Sequence, residues 1–176
     1  MCPNINLLKT YKVFPRVHNF NYMKDLFFIY VYLDPFKSLD KPLSVRIAGQ
    51  EFCFAYQPFY LGKGTGAGYR HHQHLSAFKK NTERNTFKVA AFQELTDNMA
   101  HAAATQIHDM PWNIKEYQDR YIIILKTFED PKKLLKFEME AINLIGTQWD
   151  KTGPLANKIK NAYSFDNLDT KRVFDI

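Results

Sequence analysis

The stretch Leu26-Phe-Phe-Ile-Tyr-Val-Tyr-Leu33 is the longest apolar run of the chain, and the rest of the fold must be built around it. Its aromatic and β-branched residues favour a strand, and Asp34-Pro35 ends the run. It is far shorter than the roughly 20 residues that a membrane-spanning helix needs. We therefore predict a buried central strand and no membrane partner.

Further strands are predicted on either side of this one. Residues 44–48 and 51–56 alternate around Gly49-Gln50, as in a hairpin, and residues 58–62 and 121–125 form other short strand-like runs.

Helices are predicted for residues 69–80, 86–95 and 131–145, and a short one starts at Pro111 and runs toward Tyr117. Phe87, Ala90, Ala91 and Leu95 mark the apolar side of the second helix. We expect an α+β fold in which a small mixed or antiparallel sheet is flanked by helices.

The composition fits one domain over residues 1–176, with a core at about 26–158 and extensions at both ends. The chain is 45% apolar and 15% aromatic, ample material for one core. Residues 1–6 lack the pattern of a secretory signal, and Cys2 and Cys53 are too few for a disulfide framework. We expect an intracellular, cytoplasmic protein.

The net charge of +6 is concentrated in one segment. Residues 59–88 contain six basic residues against Glu83 alone: Lys63, Arg70, Lys79, Lys80, Arg84 and Lys88. Such a patch suits a polyanion, because each contact with a phosphate releases a condensed counterion. A solvated basic surface without a partner explains the charge equally well.

Glu138 lies inside the apolar stripe of the helix predicted for 131–145. It is four residues from both Leu134 and Ile142, whereas Glu140 is rotated by about 200° and is expected to be solvated. A carboxylate that faces a core must be paired, protonated or bound to a metal. The alternatives are therefore a structural ion pair and a functional site.

Several motifs together resemble one known family. Phe28-Ile29-Tyr30 and Phe59-Tyr60-Leu61-Gly62 resemble the paired strands of the GIY-YIG nucleases. Arg70 and His74 follow with the family's spacing, 137–142 resembles its glutamate helix, and 153–157 resembles the segment with its last polar residue, Asn157. The segments 34–57 and 98–120 are longer than the pattern requires.

The resemblance implies a metal-dependent endonuclease acting on double-stranded DNA, similar to homing and phage-type members that work inside a host cell. It implies Tyr30 as general base with Tyr60 and His74 beside it, Arg70 on the phosphate, and Glu138 holding Mg²⁺ or Mn²⁺. The products would carry 5′-phosphate and 3′-hydroxyl ends. We also expect Lys63, Lys79, Lys80 and Asn157 to bind substrate.

Three other functions are weighed against this one. His71, His72 and His74 suggest zinc, but Cys53 adds no ligand at a familiar spacing. Residues 62–68 are rich in glycine, but they lack the residue order of a nucleotide-binding P-loop. The main alternative is a DNA-binding module that keeps the fold without cutting.

The leading interpretation, an endonuclease with one site per chain, also bears on assembly. With a single site, a cut through both strands of DNA requires two cleavage events or a dimer on DNA.

Overall fold

The computed structural model describes residues 26–66 and 70–158, and of Arg70 only the backbone. Predictions about the two terminal extensions therefore concern residues outside this range. In order along the chain, the elements are β1 (Phe27–Ile47), β2 (Gln50–Thr65), α1 (Arg70–Lys79), α2 (Thr86–Thr105), α3 (Ile114–Tyr121), β3 (Ile122–Phe128) and α4 (Pro131–Ile145).

The sheet is antiparallel, and β1 lies between β2 and β3. The apolar run 26–33 occupies the centre of the molecule because its strand is paired on both sides, and Ile29, Val31 and Tyr32 are each 0% exposed. The predicted α+β class and the central strand are confirmed.

β1 and β2 form one long ribbon in place of the four short strands that were predicted. The pairing continues past Pro35 through irregularities between Tyr32 and Leu33, Asp34 and Ser38, and Ser38 and Leu43. The ribbon reverses at Ala48-Gly49, one residue earlier than expected, where both residues have positive φ, 47° and 77°. That pair of angles is typical of a tight type I′ hairpin turn.

The ribbon tip folds back onto α4. The Ala48 N–H donates to Glu140 Oε1 at 2.9 Å, and the rings of Phe52 and Phe137 meet edge to face. Glu140 is therefore half-buried and bonded, which corrects the expectation that it is solvated. The insertion 34–57 is a packed part of the domain.

Two helices differ from their predictions. α2 continues to Thr105, and its buried side chains are Lys88, Phe92, Leu95, Met99 and Ala102, whereas Ala90 is exposed. α3 begins after Asn113, whose side chain accepts from the Glu116 N–H. Pro111 therefore precedes this helix and is not its first residue.

The two faces of the sheet carry different helices. Phe28, Tyr30 and Tyr32 point to one face, since alternate residues of a strand share a side, and there they meet His71, His74, Phe92 and Tyr117 of α1, α2 and α3. On the other face, Phe128 packs against Phe137 of α4. Among the helices described, none is long and apolar enough to cross a membrane.

Candidate functional site

Two tyrosines and a histidine meet where β1, β2 and α1 come together. Tyr30 Oη lies 2.7 Å from His74 Nε2, and Tyr60 Oη lies 3.4 Å from the same nitrogen. Tyr60 belongs to the strand position opposite Tyr32, and its ring meets His74 edge to face at 4.9 Å. One imidazole nitrogen thus faces both phenol oxygens.

Glycine at position 62 makes room for the Tyr30 ring. The two residues are opposite each other in the ladder, and a Cβ at Gly62 would lie 2.5 Å from Tyr30 Cζ and Oη. Gly64 stands in the same relation to Phe28, with 2.3 Å to its Cζ. The Gly62-Lys-Gly64 segment is therefore part of β2, where its glycines accommodate aromatic rings.

The two phenols differ in their access to solvent. Tyr30 is 0% exposed, whereas Tyr60 is only partly buried. A general base must reach the proton that it removes, directly or through one water. Of these two tyrosines, Tyr60 therefore has the greater access to solvent.

Lys88 and Glu83 complete this cluster, and the sequence analysis did not assign them to the site. Lys88 Nζ lies 2.9 Å from Glu83 Oε2, 3.3 Å from His74 Nδ1 and 4.2 Å from the centre of the Tyr60 ring. Lys88 is 6% exposed and projects from the buried face of α2. The signal was a charge within an apolar stripe, as at Glu138, because Lys88 precedes Phe92 by one helical turn.

The carboxyl of Glu83 remains ionised in this setting. Burial opposes its ionisation, but the Asn85 N–H, the Lys88 ammonium and His74 together outweigh that effect and hold the pKa of Glu83 below its ordinary value. Lys88 therefore faces a permanent negative partner.

Glu138 is buried, as its position in the apolar stripe indicated, and it forms an ion pair. It is 5% exposed, and its Oε2 accepts from Lys63 Nζ at 2.8 Å. Lys63 is opposite Ile29 in the ladder, so it points to the α4 face, away from Tyr30. The structural alternative for Glu138, an ion pair, is thus present, and its partner is a residue expected to bind substrate.

The predicted residues consequently form two groups on the two faces of one strand. Tyr30, Tyr60 and His74 are in direct contact on one side, and Glu138 contacts Lys63 on the other. The two groups are connected through Gly62 and Lys63, which are consecutive residues of β2 and therefore direct their side-chain positions to opposite faces of the sheet.

Asn157 has a role in the backbone of β2. Its Oδ1 accepts from the Leu61 N–H at 3.0 Å and its Nδ2 donates to the Leu61 carbonyl at 2.7 Å. The Ala156 N–H donates to the Phe59 carbonyl at 2.7 Å, so this segment runs along the edge of β2. Both functional groups of the Asn157 amide hold the strand, one residue from Tyr60.

The remaining basic residues predicted for the site lie on α1 or directly after it. Arg70 is the first residue of this helix, which confirms its helical spacing of four from His74, while its side chain lies outside what the structure describes. Lys79 and Lys80 are exposed at the other end of the helix. They extend the basic surface away from the phenol cluster.

Burial keeps other groups near the cluster neutral. It lowers the pKa of His71 to about 4, with His72 adding to the effect, and it also lowers the pKa of His72. Burial raises the pKa of Tyr32, whose hydroxyl donates to the His71 carbonyl, and Tyr60 adds to the effect. These groups shape the site without supplying charge at neutral pH.

Neither a scan against protein-family models nor searches of curated proteins and of solved structures found a match to this chain. Within residues 26–66 and 70–158, no three side chains of His, Cys, Asp or Glu are grouped as metal ligands. The geometry of the site is therefore what bears on function.

Proposed function

We propose that the chain is a metal-dependent DNA endonuclease of the GIY-YIG kind, which hydrolyses phosphodiesters to 5′-phosphate and 3′-hydroxyl ends. The observation that carries the proposal is the arrangement along Tyr60-Leu-Gly-Lys63. A phenol–imidazole cluster lies at one end of this segment and a buried carboxylate–ammonium pair at the other. The reaction class, phosphodiester hydrolysis, is proposed because the flanking motifs resemble those of that family.

Phosphodiester hydrolysis requires a base for water, positive charge at the phosphate and neutralisation of the leaving oxygen. The phenol cluster supplies candidate bases. Arg70, on the same helix as His74, supplies a guanidinium suited to bidentate binding of a phosphate. Lys63, which is partly exposed, adds an ammonium beside Gly62.

The resemblance assigns the base to Tyr30, whereas solvent access favours Tyr60. Tyr60 is the more exposed of the two tyrosines, and the Lys88 ammonium above its ring favours a negative oxygen. In our proposal Tyr60 first releases its own phenol proton to solvent and then, as phenolate, takes the proton of the attacking water. Tyr30, bonded to the same His74 nitrogen, keeps that imidazole in place.

The side chains present fit a hard divalent cation. Mg²⁺ retains several waters and is commonly held by one or two carboxylates together with the phosphate of the substrate. Glu138 offers such a carboxylate, and a metal bound at its Oε2 would take the place of the Lys63 ammonium, which now lies 2.8 Å from that oxygen. When bound, Mg²⁺ or Mn²⁺ would supply Lewis acidity at the leaving oxygen.

The proposal is tested by incubating supercoiled plasmid with the protein in Mg²⁺ and, separately, in chelator. We expect nicked or linear DNA only with the metal. Glu138→Gln should lower the rate by at least about 100-fold, since the ligand that places the cation is lost. Tyr60→Phe should have a similar effect.

Glu140→Gln is the matched control, because it removes a charge from the same helix while keeping an acceptor for the Ala48 N–H. It should cleave at the rate of the unchanged chain. If the chain and all three variants bind duplex DNA equally and none cuts it, the endonuclease proposal is wrong. The chain would then be the alternative, a non-catalytic DNA-binding module.

A further inference from the structure

We infer that Lys88, held by Glu83, fixes His74 in the tautomer whose Nε2 carries the proton, so that His74 donates to the phenols and does not accept a proton from them. Lys88 and Glu83 are thus positioning residues for the base of the proposed reaction. The catalytic consequence rests on the proposed function, whereas the tautomer does not.

The inference follows from which groups can donate. A lysine ammonium has three N–H donors and no acceptor. Its nitrogen lies 3.3 Å from His74 Nδ1, so Nδ1 must present its lone pair there. A neutral imidazole carries one proton, which leaves it on Nε2, and Tyr30 Oη at 2.7 Å is the acceptor.

Glu83 keeps the Lys88 ammonium in position beside His74 Nδ1. Its carboxylate holds Lys88 at 2.9 Å, whereas its distance to His74 Nδ1 is 3.8 Å, too long for a hydrogen bond. The opposite tautomer would direct a ring N–H at the Lys88 ammonium, which is a contact between two donors. Lys88 therefore decides which nitrogen is protonated.

The arrangement has a chemical consequence at the phenols. An oxygen that accepts from His74 is stabilised as it becomes negative. His74 then lowers the cost of a phenolate, and because His74 does not accept the proton of the phenol, that proton leaves to solvent before the phenolate takes the proton of water. Among the side chains that the structure describes, titratable or charged groups that face Tyr30 or His74 come from β1, β2, α1, α2 and the segment before α2, and they include Tyr32, Tyr60, His71, Lys88 and Glu83.

Nitrogen-15 NMR of the histidine side chains tests the inference on the unchanged chain. Ring resonances are assigned to His74 by through-bond correlation to its backbone, at pH 7.5 without metal or DNA. We expect an unprotonated Nδ1 and a protonated Nε2. A protonated Nδ1 would overturn the inference, and this result needs no variant to fold.

Variants then separate orientation from simple packing. Lys88→Met removes the donor but leaves the Glu83 carboxylate facing Nδ1. The Nδ1 should become protonated, and the midpoint of the His74 titration should rise by about one pH unit. Glu83→Gln should move that midpoint the opposite way, since the positive neighbour is then uncompensated.

Lys115→Met, at an exposed position of α3, is the control and should leave the His74 spectrum unchanged. A packing defect alone would not move the midpoint in opposite directions in the two variants, so shifts of the same sign would also overturn the inference. If Nε2 carries the proton but the chain does not cut DNA, this inference holds and the endonuclease proposal is wrong. If the chain cuts DNA but Nδ1 carries the proton, the endonuclease proposal holds and this inference is wrong.

Discussion

Gly62 leaves room for the Tyr30 ring against β2, and this contact can be tested directly. Gly62→Ala places a Cβ inside van der Waals distance of that ring. We expect the ring to shift away from His74, with a loss of about 1–3 kcal/mol in the free energy of unfolding. Urea denaturation measures the loss, and plasmid cleavage should slow at least about tenfold, the consequence of roughly 1.4 kcal/mol of lost transition-state stabilisation.

Gly64→Ala provides the comparison, because the same steric conflict falls on Phe28, which lies outside the phenol cluster. It should destabilise the fold to a similar extent and leave the cleavage rate of the folded fraction nearly unchanged. Equal losses of cleavage in both variants would contradict a specific role for the Tyr30 position.

Asn157 should contribute to stability more than to substrate binding. Asn157→Ala leaves the N–H and carbonyl of Leu61 without their side-chain partners in a buried strand edge, at a cost of about 2–3 kcal/mol. Chemical denaturation would measure this loss in the free energy of unfolding. Asn143→Ala, at an exposed position of α4, is the control variant. If Asn157→Ala weakens DNA binding at full stability, the residue contacts substrate instead.

At the level of elements, the hairpin turn offers a stabilising change. Ala48 has φ of 47°, a left-handed conformation that costs an ordinary residue about 1–2 kcal/mol. Asparagine tolerates it and precedes Gly49 in the preferred Asn-Gly pair. Ala48→Asn should therefore raise the melting temperature, with a gain of up to about 1 kcal/mol.

The same substitution at Ala90, on the exposed side of α2, is expected to lower stability by about 0.5 kcal/mol, since asparagine is a poorer helix former than alanine. Thermal unfolding of the two variants side by side tests the assignment of both elements. A lower melting temperature for Ala48→Asn would mean that the turn does not have this geometry.

The sequence predicts an element well where its ends are chemically marked. Asp130 and Pro131 begin α4 and Gly146 ends it, and the structure has the same bounds because the Asp130 carboxylate accepts from the Lys132 N–H. The buried position of Glu138 followed from periodicity along this helix. Both conclusions depend on local information alone.

Other features depend on partners distant in the sequence. Asp34-Pro35 suggested that the central strand ends early, but irregular pairing lets β1 continue to Ile47. Met99 and Ala102 extend the buried stripe of α2, but the alanines at positions 100, 103 and 104 blur the helical periodicity that would have marked it. The site pairs Lys88–Glu83 and Lys63–Glu138 could not be predicted, since a charge in a stripe does not identify its partner.

For the whole molecule, acid should weaken the fold through His71. Its pKa is lowered by burial from 6.5 to about 4, so below pH 6.5 the unfolded chain binds a proton that the folded chain refuses. The contribution of neutral His71 to the free energy of unfolding is therefore fully present above pH 6.5, and it is lost as the pH falls toward 4. His71→Gln should show a smaller drop in stability between pH 7 and pH 4.5.

Urea denaturation at the two pH values measures this drop, and His101→Gln, at an exposed position of α2, is the reference. The His101 variant should follow the unchanged chain. If all three chains lose stability equally, His71 is protonated in the folded state and the burial argument does not apply to it.

The exposed lysines at the end of α1 are where the basic surface meets solvent, so their effect should appear in the salt dependence of DNA binding. A lysine that lies on a phosphate releases about one counterion, and its loss flattens the slope of log Kd against log salt by about one. Lys79→Ala and Lys80→Ala should each do so, measured by fluorescence anisotropy of duplex DNA in chelator. Lys115→Ala on α3 should retain the full slope, and if the α1 variants retain it too, the DNA does not extend along this helix.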